Sequence, residues 1–163
     1  MMIAELTKKM VAYSEGNLHD INHFLKVYAY AKTIGECEGL DSAAQETLEI
    51  AALVHDIACP LCREKYGNTN GKYQETEGVI LARDFLQGTG LSCETIDRVA
   101  YLVGHHHTLT DVQGLDYQIL LEADYLVNAD ESGYSRENIQ NTLGTLFKTP
   151  TGIALLKSVY RLD

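Results

Sequence analysis

The chain has no tryptophan, two prolines, and 13 basic residues set against 23 acids. So little proline excludes Pro-rich linker and collagen-like material. The formal charge of −10 argues against long nucleic acid as a partner, because a duplex binder needs a basic face to replace phosphate counterions. No basic run is longer than Lys8-Lys9, which argues equally against an anionic membrane surface. The longest strictly apolar run, Ile50 to Val54, is far short of the roughly 20 residues of a membrane span. No basic stretch followed by an apolar one opens the chain, so a cytoplasmic location is expected. Cys37, Cys59, Cys62 and Cys93 are then reduced thiols by default. Cys59-Pro60-Leu61-Cys62 has no second C-x-x-C pair and no strand-then-helix setting, so these two are read as ordinary thiols at a helix end.

What is present is an ordinary globular composition, 45% hydrophobic and 22% charged. The 163 residues suffice for one domain with its own core, and a homo-oligomer is allowed. Apolar periodicity is helical nearly throughout. Helices are expected over about 3–13, 19–37, 42–57, 73–87, 92–105, 116–129, 136–147 and 151–160. Ser42 and Gln45 have capping-box spacing, and Pro150 suits the first turn of the last helix. Residues 59–72, rich in Gly and Asn, are expected to be a loop. No stretch alternates with period two, so the fold class is all-α.

The informative residues are polar ones on apolar faces. In the second helix Asn22, Lys26 and Thr33 form the wet stripe, and His23 lies off it, with Val27, Tyr30 and Ile34. In the third, Glu46 and Glu49 mark the solvent side, and His55-Asp56 follows an all-apolar approach. In the sixth, Gln118, Glu122 and Ala129 mark the wet side, and Asp124 is on the opposite face among Leu120, Leu121 and Val127. His105-His106-His107 ends an apolar helix whose inward face is Val99, Leu102 and Val103. Any one of these could be a satisfied core residue or a surface group. Together they are a mixed imidazole–carboxylate set drawn from several helices, without a nearby base. That donor set suits a divalent transition metal (Mn, Fe, Co, Ni or Zn) and leaves coordination positions open for water or substrate.

His23 in His-x-x-Lys-Val, then His55-Asp56 within Ala52-Leu53-Val54-His55-Asp56-Ile57, then Glu77-Gly78, then Ala123-Asp124-Tyr125-Leu126 resemble the landmarks of the HD-domain metal-dependent phosphohydrolase superfamily. The resemblance covers about 18–128, with C-terminal helices at 135–161 packed on that core. It implies a compact helical bundle, with His23, His55, Asp56 and Asp124 around one metal and His105 or His106 in the pocket. A second metal is implied for the binuclear relatives. Here the stretch matching their extra histidine reads Gln74-Glu75-Thr76-Glu77, so Glu75 is the candidate replacement. The Gly-Lys that follows His-Asp in many relatives is Ala58-Cys59.

The function expected on this resemblance is metal-dependent hydrolysis of a small phosphorylated substrate, a nucleotide or dinucleotide. Asp56 is the expected ligand that steers the attacking water. Glu75 or His106 is the expected general acid or base, and Lys26, Arg63, Lys65 and Lys72 are candidates for holding phosphate. The alternatives are a di-iron HD-type oxygenase, which needs a full second site, and a non-catalytic metal-binding regulatory domain.

Overall fold

The computed structural model describes residues 2–163 and, among them, nine α-helices and no strand. The helices are α1 (Met2–Tyr13), α2 (Leu18–Cys37), α3 (Ser42–Val54), α4 (Cys59–Tyr66), α5 (Gly71–Leu86), α6 (Cys93–Val103), α7 (Leu115–Glu131), α8 (Arg136–Thr145) and α9 (Pro150–Tyr160). Most starts follow from capping chemistry. Asn17, Asn70, Ser92, Ser135 and Thr149 each accept a hydrogen bond from a backbone N–H of the first turn, satisfying one orphan donor. At α3 the cap is Asp41, whose carboxylate accepts from Ala43 N and Ala44 N. Ser42 is therefore the first helical residue and not the cap.

The expected loop over 59–72 is half helix. Pro60 lies in the first turn of α4, where a missing N–H costs nothing, so it starts a helix instead of only stopping one. Gly67 ends α4 with φ 71°, a left-handed conformation that glycine adopts without a Cβ penalty. Only four residues then separate α4 from α5.

The central helix is α3, packing on α1, α2, α6 and α7, and its C-terminal turns from Ile50 to Val54 are apolar all round because they are surrounded. Leu48, Ile50 and Leu53 are fully buried there. Each such side chain contributes about 1.5–3 kcal/mol. Helix α2 packs along both α3 and α7, and α5 pairs with α6. The α5–α6 approach is close enough that a Cβ on Gly78 would lie 2.7 Å from Val103 Cγ1. α9 packs on α7 and α2 and closes that side of the bundle, and α8 packs on α9.

That closure overturns two solvent-side expectations. Glu122 and Ala129 are buried, and over Glu122 the α8–α9 connection folds back onto α7. Glu122 accepts from Gln118 Nε2 (2.8 Å), Lys148 N (2.7 Å), Thr149 N (3.0 Å) and Thr149 Oγ1 (2.5 Å). Glu49 is likewise buried against α2, accepting from Tyr28 Oη, Lys32 Nζ and Gln45 Nε2. Both acids have enough donors to be structural.

Candidate metal centre

Two helices and two tight turns deliver the polar side chains to one point. His23 comes from the second turn of α2, and Asp124 from the middle of α7. Past Val54 the chain tightens into three-residue turns, Ile57 N to Val54 O and Cys59 N to Asp56 O, which place adjacent His55 and Asp56 in the same pocket. The same device follows α6, where His105 N bonds Leu102 O and Thr108 N bonds His105 O, and it carries His106 inward.

The distances describe a single cluster. His23 Nε2 and His55 Nε2 are 3.1 Å apart. Asp124 Oδ1 lies 3.2 Å from the first and 3.4 Å from the second. Asp56 uses both oxygens: Oδ2 is 3.3 Å from His23 Nε2, and Oδ1 is 3.5 Å from His55 Nε2 and 3.2 Å from His106 Nε2. The ligand atoms of His23, His55 and Asp56 fall within 4.8 Å of one another, and so do those of Asp56, His106 and His107. Asp56 is common to both groups.

The tautomers follow from the far side of each ring. His23 Nδ1 is 2.7 Å from a Glu131 carboxylate oxygen, His55 Nδ1 is 2.8 Å from Ala52 O, and His106 Nδ1 is 2.7 Å from Val103 O. Carbonyls and carboxylates only accept, so all three Nδ1 atoms carry hydrogens. In neutral rings the three Nε2 lone pairs then face one another and two carboxylates. Such a set is satisfied only by a cation at its focus, and His106 Nε2, buried, has no hydrogen-bond partner. The residues fit a divalent metal.

The electrostatics agree. Burial alone would lower the His23 pKa, but hydrogen bonding to Asp124, the charges of Asp56 and Asp124, and hydrogen bonding to Glu131 outweigh it and raise it to about 9. Burial would raise Asp56 and Asp124. The imidazoles of His55 and His106 at Asp56, and of His23 and His55 at Asp124, instead hold both well below the usual carboxylate range. The site attracts positive charge and stays ionised. Of its acids Asp56 is the more open, with 27% of its side chain exposed against 10% for Asp124.

A family model, HD domain, matches residues 20–129, about two-thirds of the chain. The chain belongs to the HD-domain family. The crystal structure of a predicted HD superfamily hydrolase from an uncultured Thermotogales bacterium matches with a TM-score of 0.71 at 23% identity, over 97% of this chain and 84% of that one. No curated protein matches.

Within this HD domain the structure sorts the expected residues. His23, His55, Asp56, Asp124 and His106 converge. His105 does not: its Nδ1 is 2.7 Å from Tyr101 O, and its ring stacks on Tyr101 at 4.1 Å, outside either ligand group. His107 takes its place beside His106 and Asp56. Glu75 is also outside both groups. Its Oε1 accepts from His107 N (3.0 Å) and Thr108 Oγ1 (2.9 Å), so it anchors the loop that carries the histidines. The inward residue of that turn is Gln74, because Glu75 is one helical step, about 100°, further round.

The basic residues are mostly committed elsewhere. Lys26 pairs with Glu131 at 3.3 Å, and Lys65 bonds Glu77 away from the centre. Lys72 is exposed and does not line the cavity beside the centre. Arg63 does line it, held by two bonds to Asp20 of 2.7 and 2.6 Å. Among the described residues no helix is long and apolar enough to cross a membrane.

Sequence reasoning missed three polar residues. Glu131 orients His23, Asn128 Nδ2 donates to Asp124 Oδ1 at 2.9 Å, and Gln74 lines the cavity. A signal existed for two of them. Asp124, Asn128 and Glu131 stand at i, i+4 and i+7, one face of α7. Cys59 is buried, and burial, with the Asp56 and Asp20 charges beside it, pushes its thiol far above its ordinary range. That is opposite to what a redox-active C-x-x-C requires.

Proposed function

We propose that this HD domain is a metal-dependent phosphohydrolase acting on a small phosphorylated compound, a nucleotide or dinucleotide. The observation that carries the reading is the set of three imidazole Nε2 atoms and two carboxylates with every Nδ1 already tied to an acceptor. Held by His23, His55, Asp56 and Asp124, a divalent transition metal supplies Lewis acidity toward a phosphoryl oxygen and lowers the pKa of water.

The chain's own groups do the rest. Glu131 and Ala52 O lock the His23 and His55 rings so that Nε2 faces the centre. Asp56, ionised and partly open, orients an attacking water by accepting its proton in a hydrogen bond. Burial would lower His106, but the Asp56 and Asp124 carboxylates raise it, so it carries a proton more readily than a free imidazole. At 3.2 Å from Asp56, its Nε2 is placed to give that proton to a leaving oxygen. Arg63, with Asp20 fixing its plane, faces the cavity as the guanidinium available to phosphate oxygens. The net charge of −10 turns long nucleic acid away.

The group formed by Asp56, His106 and His107 favours a two-metal form of the same hydrolase, in which His106 Nε2 would be a ligand and not the proton donor. The oxygenase alternative would show as two irons per chain and metal-dependent oxygen uptake. The phosphohydrolase reading is tested by phosphate release from a panel of nucleotides, dinucleotides and sugar phosphates with Mn²⁺, Co²⁺ or Fe²⁺. Turnover that disappears in Asp56→Asn is expected. A silent panel, with Asp56→Asn indistinguishable from wild type, contradicts it.

A further inference from the structure

The centre opens on two chambers that meet at His107, Asp124 and Asn128. One, about 190 Å³, has His19, Asp20, Arg63, Thr69 and Gln74 on its walls. The other, about 290 Å³, is walled by Leu109, Leu121, Tyr125, Tyr134, Asn138 and Leu146. Their chemistry differs. The first contains a guanidinium, and Gln74 Oε1 is buried without a hydrogen-bond partner. No lysine or arginine lines the second.

The second chamber sets leucine and tyrosine side chains opposite a polar wall of His106, His107, Asp124 and two asparagines. Leu109, from the α6–α7 loop, and Tyr134, from the α7–α8 turn, are 61% and 40% exposed while lining it. Exposed apolar side chains rimming a polar centre mark a ligand-covering surface. Tyr125 and Tyr134 sit with ring centroids 5.6 Å apart. Two amides are each half used. Asn128 donates to Asp124, which leaves its carbonyl oxygen unengaged. Asn138 Oδ1 accepts from Tyr125 Oη at 2.7 Å, which leaves its NH₂ unengaged. Both asparagines line the same chamber, Asn128 from α7 and Asn138 from α8. Away from the metal-ligand wall of His106, His107 and Asp124, a phosphate placed there would meet no ammonium or guanidinium group.

We propose that this second chamber binds an uncharged, flat heteroaromatic ring carrying a hydrogen-bond donor and acceptor, of the nucleobase type. Tyr134 and Leu109 cover its faces, and Asn138 is the specificity-determining residue. Resting on the phosphohydrolase reading, this makes the substrate a monoester. Its phosphoryl group lies on the Arg63 side and its ring on the Tyr134 side. A volume near the low end of ligand pockets, about 300–1,000 Å³, holds one ring system and has no room for a second.

The test has two arms on the Mn²⁺-loaded full chain. Calorimetry measures binding of adenosine, guanosine, cytidine and uridine, which carry no phosphate. Kinetics compares their 5′-monophosphates with ribose 5-phosphate and diadenosine tetraphosphate. At least one nucleoside should bind, and its monophosphate should exceed the other two in kcat/KM by about tenfold or more, 1.4 kcal/mol. Tyr134→Ala and Asn138→Ala should each raise KM for that monophosphate about fivefold with kcat within about twofold. Tyr73→Ala, stacked on Tyr66 outside both chambers, should change nothing. The proposal is overturned if ribose 5-phosphate or the dinucleotide is hydrolysed as well as any monophosphate. It is also overturned if no nucleoside binds and Tyr134→Ala is kinetically silent. Nucleoside binding that depends on Tyr134, without hydrolysis of any phosphate, upholds the ring site and removes the phosphohydrolase reading instead.

Discussion

Glu122 and Asp124 are two residues apart on α7, both buried, and opposite in role. Glu122 faces the α8–α9 connection and collects four neutral donors, two of them backbone N–H groups at and before the cap of α9. Its charge is solvated by the protein. Asp124 faces imidazoles whose hydrogens point the other way and has one amide donor, Asn128. Its charge asks for a cation. Burial of a carboxylate does not by itself mark a functional site. What decides is whether the protein supplies enough hydrogens to satisfy it.

The largest expected effects separate the two residues. Asp124→Ala should lose the metal and reduce turnover about a thousandfold or more, roughly 4 kcal/mol of barrier. Glu122→Ala strands the two buried donors of Thr149, N and Oγ1, at about 1 kcal/mol or more each, so about 2 kcal/mol of folding stability should disappear. Denaturant unfolding with elemental analysis of the surviving folded protein distinguishes the outcomes. Equal metal loss in both variants would break the comparison. Next in size, Glu131→Gln should weaken metal affinity about 10–100-fold, because the acceptor that fixes His23 loses its charge. Calorimetric titration with Mn²⁺ measures this.

A smaller effect is carried by pH in chelator-stripped protein. The His23 pKa is raised from 6.5 to about 9, so the stabilisation it contributes is fully present below about 6.5 and is lost as pH rises through about 9. Asp56 and Asp124 are depressed, so their contribution is present above the ordinary carboxylate range and is lost on acidification below it. Thermal melts of the stripped chain should fall on the alkaline side between about pH 6.5 and 9. That limb should shrink in Asp124→Ala and persist in Glu122→Gln. The smallest effect is at Glu75. Since it anchors the His107–Thr108 loop, Glu75→Ala should cost about 1–2 kcal/mol of stability with metal content unchanged. Metal loss in that variant would return Glu75 to the centre.

The helices were legible because apolar spacing and caps are local properties, and the HD order of His23, His55, Asp56 and Asp124 was legible because each breaks an apolar face. What escaped depended on tertiary cover. Glu122 and Glu49 looked solvent-facing because nothing local says that Thr149 and Lys148, or Tyr28 and Lys32, will fold over them. His105 and His107 could not be separated, since the turn after α6 decides which ring points inward. Glu75 drew attention for its charge, whereas the rotation of α5 put Gln74 inside. Helix α4 was hidden by Pro60, which reads as a stop and works as a start.

The most direct test of the account is calorimetric titration of Mn²⁺ into folded, chelator-stripped wild-type, Asp124→Ala and Glu122→Gln proteins. The account predicts at least one tight site per chain in wild type and in Glu122→Gln, and none in Asp124→Ala. A stripped wild-type chain that stays folded and binds none of Mn²⁺, Fe²⁺, Co²⁺, Ni²⁺ or Zn²⁺ would contradict it.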